Sequence, residues 1–441
     1  MRKIHWILLL IIVLLLLIYF IKSKNDNIFT DYIYLDNNST TPMSSETLNA
    51  YKKGAGYGNA SSSYAHQAKE IIQKNDDLIK NYLNIKDYLP IYTSGASESN
   101  NTILKAVCHH NINEKLPKHF ILSSYEHKTS LDCAEQLEKD GLITLTLVKP
   151  DMKGFIHAED VIKHIQDNTA LISIMHVNNE LGSINDIDLI SKKIKERNPN
   201  IIFHSDIVQS FGKIPVNTSN LDAFSISYHK IYGPIGLGLL VIHNKLFPIF
   251  KEHPLIAGSQ NYELRGGTIN TPAICAAYNA LTETIKNRKH KNNVLLQKKM
   301  YIVNFLKKHF PIVDYQDYYQ KPESYQKPKQ NYPFEIIFLG DAPESPKMAP
   351  GTLLLNVVKF GNFKFCNIQL KKYLERNGVI ISIGSACNSD SSKASHVLFS
   401  LDCPHICRCG VVRISIGDEN SWYEIYKFCN ILLNGILEQR G

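Results

Sequence analysis

The stretch that decides the fold is NIIFHSDIVQSFGKIPVNTSNLDAFSISYHKIYGPIGLGLLVIH, residues 200–243. It holds three apolar, β-type runs, NIIFHSD, DAFSIS and LGLLVIH, separated by turn-rich connections. The first run ends at Asp206 and Gln209, and the second ends one short turn before Lys230. A lysine after a strand and against a small-residue turn can hold an aldehyde cofactor as a Schiff base. A carboxylate and an amide at the neighbouring strand end stand where a pyridinium nitrogen and a ring hydroxyl need partners. Ser227 and His229, flanking the same turn, can donate hydrogen bonds to a phosphate.

Upstream the same rhythm continues. LPIYT, HFILSS, LITLTLV and ALISIMHV alternate with helical patterns near residues 97–110, 128–140, 158–166 and 186–197. Strands and helices taking turns predict an α/β fold with a mainly parallel sheet covered on both faces. In such sheets ligands bind beyond the carboxyl ends of the strands. Ser94 to Ser97, His127, Asn179, Asp206 and Lys230 all fall at that address.

Each loop is weak evidence alone. The hydroxyls of TSGASES before a helix read as a phosphate cradle or as an ordinary N-cap. His127 reads as a ring to stack on a cofactor, as a proton carrier or as a surface residue. Asn179 offers a neutral donor or simply makes a turn. Farther on, GSACNSDSSKAS surrounds Cys387 with small residues, which predicts a mobile, accessible thiol. Arg413 interrupts the β-type run VVRISIG, where it needs a carboxylate, either a substrate's or an internal one.

The bulk properties limit the classes. The chain has 441 residues, 44% of them hydrophobic, and a net charge of +8 spread without a long basic run, so no nucleic-acid partner is expected. Nine cysteines without regular spacing fit a reducing compartment. Cys403, Cys407 and Cys409 lack the second ligand pair of a closed zinc site. A smaller α+β unit is expected after a long helical stretch near 272–309, with residues 313–350 as an insertion. The division expected is 1–24, 25–285 and 286–441. Residues 1–24 contain the apolar run Trp6–Ile21 between basic flanks, read as an uncleaved single-pass membrane anchor. N-x-S/T triplets at Asn37, Asn38 and Asn59 lie on cofactor-side motifs where glycans do not fit, so the catalytic part is expected to face the cytosol.

Ten motifs in order, among them YLDNNSTTP (34–42), TSGASESNN (93–101), EHK (126–128), HSDIVQSFGKIPV (204–216), LRGGTINTP (264–272), GSACNS (384–389) and VRISIG (412–417), complete the pattern. With them the chain resembles the cysteine desulfurases of the NifS/IscS type, in the class V family of fold-type I pyridoxal-phosphate enzymes. The resemblance implies pyridoxal 5'-phosphate held by Lys230, with Asp206 on the ring nitrogen, Gln209 and Asn179 on the ring oxygen and His127 stacked. It implies a phosphate site of Ser97, Ser227, His229 and Thr268, the last supplied across a homodimer, with Ala96 and Tyr228 as further cofactor-binding residues.

The same resemblance makes L-cysteine the substrate, with its carboxylate on Arg413 and Asn179. Cys387 becomes the persulfide carrier and a candidate transient iron–sulfur ligand, and an iron–sulfur scaffold protein a candidate acceptor. A selenocysteine lyase, another class V enzyme and an inactive membrane-tethered scaffold are the alternatives. Tyr228 and Ile235 depart from the family, which has a small residue and a basic residue there.

Overall fold

The computed structural model describes residues 32–110, 117–313, 334–359, 367–383, 395–402 and 411–439. In chain order the strands are β1 Ile33–Tyr34, β2 Tyr88–Thr93, β3 Lys118–Ser123, β4 Ile143–Val148, β5 Thr169–Ser173, β6 Ile202–Asp206, β7 Ala223–Ser227 and β8 Gly238–His243. There follow β9 Ile312–Val313, β10 Phe334–Phe338, β11 Thr352–Lys359, β12 Val379–Ile380, β13 Ser382–Ile383 and β14 Val412–Ser415.

All seven apolar runs between residues 89 and 243 become strands of one sheet, ordered β2-β8-β7-β6-β5-β3-β4. Every neighbour pair from β7 to β4 is parallel, and β8 runs antiparallel between β7 and β2. The runs are apolar at successive positions because both faces are buried. Ile121, Ile172, Phe203 and Phe224 enter one core, whereas Phe120, Leu171, Ile202 and Ala223 enter the other. Four helices, Ala96–His109, Lys128–Lys139, Ala158–Ile162 and Ile187–Arg197, occupy the four expected stretches.

The stretch near 272–309 is two helices, Thr271–Ile285 and Arg288–His309. Asn287, at φ 54°, breaks it, a left-handed backbone that asparagine tolerates. A second sheet, β13-β14-β11-β10-β9, packs around its own apolar cluster with Arg288–His309 and the helices Asn367–Arg376 and Trp422–Glu438. The run VIISIG splits, so that β12 pairs with β1 and β13 pairs with β14. Of the expected insertion 313–350, residues 314–333 lie outside the described residues, and Phe334–Phe338 is a fully buried strand of the second sheet.

The expectation of a membrane-anchored protein with a cytosol-facing catalytic part is corrected. Crossing a bilayer takes about 20 consecutive apolar residues in a helix, and among the described residues no helix is long and apolar enough. The run Trp6–Ile21 on which the expectation rested lies outside the described residues. The four cysteines that are described, Cys108, Cys133, Cys275 and Cys429, are free and buried.

Candidate active site

The parallel strands end around a cavity of about 630 Å³. Its walls come from five segments far apart in sequence: the arm Asn38–Ser39, the loop Ser94–Ser97, His127, the β6 terminus at Asp206, and Ser227 with His229 and Lys230. Asn179, Gln209 and Arg413 complete it. Most of the sequence-predicted residues therefore meet in one place.

Lys230 Nζ donates to the carbonyl of Asn38 at 2.6 Å and also to that of Ser39. Burial, reinforced by the Arg413 guanidinium, pushes the amine down to about 8, against a smaller upward pull from Asp36 and Asp206. The Asp206 carboxylate is oriented from two sides: Asn100 Nδ2 donates to Oδ2 at 3.0 Å and the Val208 N–H donates to Oδ1 at 3.0 Å. His127 Nδ1 accepts from the Thr129 N–H at 3.2 Å and lies 2.8 Å from the Thr129 hydroxyl. Although this ring faces the open cavity, the surrounding protein lowers its basicity, and Asp206 only partly offsets that. His229 is pushed down to about 4 by burial and by the cations Lys230 and Lys213.

The helix Ala96–His109 begins at the cavity behind Gly95, and no side chain caps its first turn. Gly238, at the start of β8, passes so close that a Cβ there would lie 2.6 Å from Gly95 Cα. Backbone packing thus holds the open helix start against the sheet. Ser94 and Ser97 are exposed beside it, and Ser227 lies at its base. Uncapped amides with convergent hydroxyls favour an anion.

Arg413 reaches the cavity from β14. Nη2 donates to Asp36 at 2.6 Å and to Ser39 Oγ at 2.7 Å, and Nη1 donates to the Asn179 carbonyl at 3.1 Å. The internal carboxylate is therefore Asp36, two residues beyond β1. Arg413 Nε is buried without a hydrogen-bond partner. Gln209 Nε2 donates to the Asn38 carbonyl at 2.9 Å, and its Oε1 accepts from Lys213 at 3.0 Å. Its expected role on a ring oxygen thus competes with an existing partner.

Three expectations fall elsewhere. The Tyr228 side chain is 0% exposed and does not line the cavity. It points into the core because its hydroxyl meets Asn75 Nδ2 at 3.0 Å behind the sheet. Thr268 is exposed and is not part of the cavity wall of this chain. Cys387 lies outside the described residues, as do Cys403, Cys407 and Cys409. Ile235, by contrast, is 79% exposed on the cavity rim. Asn38, Ser39, Asn100 and Thr129 line the cavity without having been singled out, although the motifs YLDNNSTTP and TSGASESNN contain three of them.

The donor set fits pyridoxal 5'-phosphate. An amine with lowered basicity, a fixed carboxylate, an uncapped helix start with three serines and an arginine in the wall match an aldehyde, a ring nitrogen, a phosphate and a substrate acid respectively.

Comparison with known proteins agrees. The family model described as aminotransferase class-V matches residues 33–301. A cysteine desulfurase IscS from Dictyoglomus turgidum is 33% identical over 395 residues, covering 87% of this chain and 89% of that protein. The solved structure of a NifS-like protein superposes with a TM-score of 0.74 at 25% identity, covering 92% of this chain and 99% of the other. A structure of SspA in complex with cysteine superposes with a TM-score of 0.64 at 29% identity, over 87% and 98% of the two chains. The chain belongs to the class V aminotransferase family, within its pyridoxal-phosphate-dependent cysteine desulfurases of the IscS/NifS type.

Proposed function

We propose that this protein is a cysteine desulfurase that converts L-cysteine to L-alanine and keeps the sulfur as a persulfide on Cys387. The observation that carries the reading is the convergence of Lys230, Asp206 and Arg413 on one cavity. The relative solved with cysteine, similar over 87% of this chain, supports the substrate.

The residues divide the work. Lys230 is the attachment lysine and, once displaced by substrate, the base that takes and returns the proton at the substrate Cα. An amine lowered to about 8 is partly neutral near physiological pH, as that duty requires. Asp206, held by Asn100 and the Val208 N–H, keeps a proton on the ring nitrogen. Ala96 and Ser97 at the open helix start, with Ser227 and His229, hold the phosphate. Thr268 reaches the phosphate of a second copy in a homodimer, which accounts for its exposure here. Tyr228 contributes at most its backbone, because its side chain is spent in the core. Arg413 and Asn179 hold the substrate carboxylate, and His127 covers the ring face.

Bound pyridoxal phosphate supplies the electron sink that makes the Cα proton acidic. The Cys387 thiolate attacks the sulfur of the substrate, the C–S bond breaks, and the electron pair of that bond ends as a C–H bond of alanine. The sum is L-cysteine plus a thiol giving L-alanine plus a persulfide, with no external oxidant. An iron–sulfur scaffold protein is the acceptor we favour, with Cys387 as a transient cluster ligand. The division at residues 285/286 is supported by the break between the helices Thr271–Ile285 and Arg288–His309.

The test is alanine formed from L-cysteine by the full chain, with sulfide released by a reductant. Cys387→Ala is expected to lose both. Alanine formation by Cys387→Ala at the wild-type rate would overturn the persulfide step, and no alanine from the wild type after loading with pyridoxal phosphate would overturn the function. Equal turnover of the Arg413→Ala and wild-type proteins would remove the assigned carboxylate site.

A further inference from the structure

Outside the cavity, the described residues bring together His110, Glu252 and His253, with one ligand atom from each within 4.8 Å of the others. His110 Nδ1 lies 3.1 Å from Glu252 Oε2, and His253 Nε2 lies 3.6 Å from the same oxygen. A tetrahedral zinc ion with bonds of about 2.0–2.1 Å spaces its ligands about 3.4 Å apart. The two observed separations bracket that spacing. His253 Nε2 is buried and has no hydrogen-bond partner, so one coordinating atom is already withdrawn from water and unspent.

The supports are rigid. His110 follows directly on the helix Ala96–His109, and His253 follows on Phe247–Glu252. The two helices share one apolar core, in which Leu104 and Val107 of the first join Phe250 of the second. Lys118 Nζ donates to the carbonyls of Val107 and Cys108 at 3.0 and 3.2 Å, so the end of the first helix is served without the His110 ring. A third imidazole stands close, since the His109 and His253 ring centroids are 6.1 Å apart.

We propose that His110, Glu252 and His253 bind one zinc-class divalent ion, which ties together the ends of two helices. Two imidazoles with one carboxylate select such an ion over magnesium or calcium, which take oxygen ligands. Three protein ligands leave a fourth position for water or His109. The site lies at the far end of the helix whose start faces the catalytic cavity, about 20 Å away for 14 residues at 1.5 Å each. It is therefore a structural or regulatory site rather than part of the sulfur chemistry.

The full-length protein, loaded with pyridoxal phosphate and stripped of metal by a chelator, is dialysed against buffered Zn²⁺ and its bound zinc is counted by mass spectrometry. The double variant His110→Ala/His253→Ala is expected to hold one zinc equivalent fewer than the wild type. It is also expected to lose the zinc-dependent rise in Tm that ligand binding to the native state produces. Glu252→Gln, a milder change, is expected to weaken that equivalent about tenfold or more. Alanine formation by the variants serves as the fold control and is expected to match the wild type. Equal zinc content and affinity in wild type and variants, with zinc held at thiols or other sites instead, would overturn the proposal.

Discussion

Two residues separated by one position, Tyr228 and Lys230, open onto two different buried polar regions, and the contrast separates function from structure. Lys230 faces the cavity, where the exposed side chains of Ser94, Ser97 and His127 are open to a ligand. Tyr228 faces a closed network. Asn75 Nδ2 donates to Tyr228 and to Tyr92 at 3.0 Å each, and the Tyr92 hydroxyl donates to Asp76 Oδ1 at 2.6 Å. Both regions carry charge out of water, and only one keeps hydrogen-bonding capacity for a ligand. Unspent capacity at a convergent site, rather than burial, marks where chemistry occurs.

The largest test of the contrast is Lys230→Ala. It is expected to reduce alanine formation by about a thousandfold or more, with unfolding by denaturant little changed, as measured by circular dichroism. Arg413→Lys follows. It keeps the charge but loses the planar fork, so kcat/KM for cysteine is expected to fall by about 10–100-fold. A part of that loss falls on KM, and a variant with unaltered kinetics would break the assignment.

On the other side of the sheet the effects reverse. Asn75→Ala leaves two buried tyrosine hydroxyls without their shared partner and is expected to cost about 1–3 kcal/mol of stability. The folded fraction should turn over cysteine at the wild-type rate, and lost activity without lost stability would merge the two regions.

Asp76 sharpens the comparison through pH. Burial raises its carboxyl from 3.8 to about 6, against the hydrogen bond from Tyr92. The folded state thus holds this proton more tightly than the unfolded chain does. The resulting stabilisation is full below about pH 3.8, is lost as pH rises to about 6, and changes no further above that. Asp76→Asn, whose side-chain oxygen still accepts from Tyr92, should flatten this part of the stability profile in denaturant titrations between pH 4 and 7. The smallest effect is that of Tyr228→Phe, which removes one hydroxyl and is expected to cost about 0.5–1.5 kcal/mol with kinetics intact.

Much of this was legible in the residues. All seven strands around the cavity could be placed, because a sheet buried on both faces demands continuous apolar runs and helices must intervene between parallel strands. The meeting of Lys230, Asp206 and the helix start at one cavity followed, since all three sit just beyond strand ends. The arm was harder to read. Asp36, Asn38 and Ser39 meet Arg413 and Lys230 because the arm pairs with β12 and bridges to Ser415 of β14, far along the chain.

Read without coordinates, the chain specified the order of strands and helices, the residue types at their ends and the family, because periodicity and local turn chemistry are short-range properties. Folding alone chose which way each of those side chains turns. Tyr228 sits in the same turn as Lys230 yet rotates into the core, where Asn75 waits 153 positions earlier. His110 and Glu252 come within 3.1 Å although 142 positions separate them. Such meetings depend on how helices pack on a twisted sheet, and no local pattern encodes that.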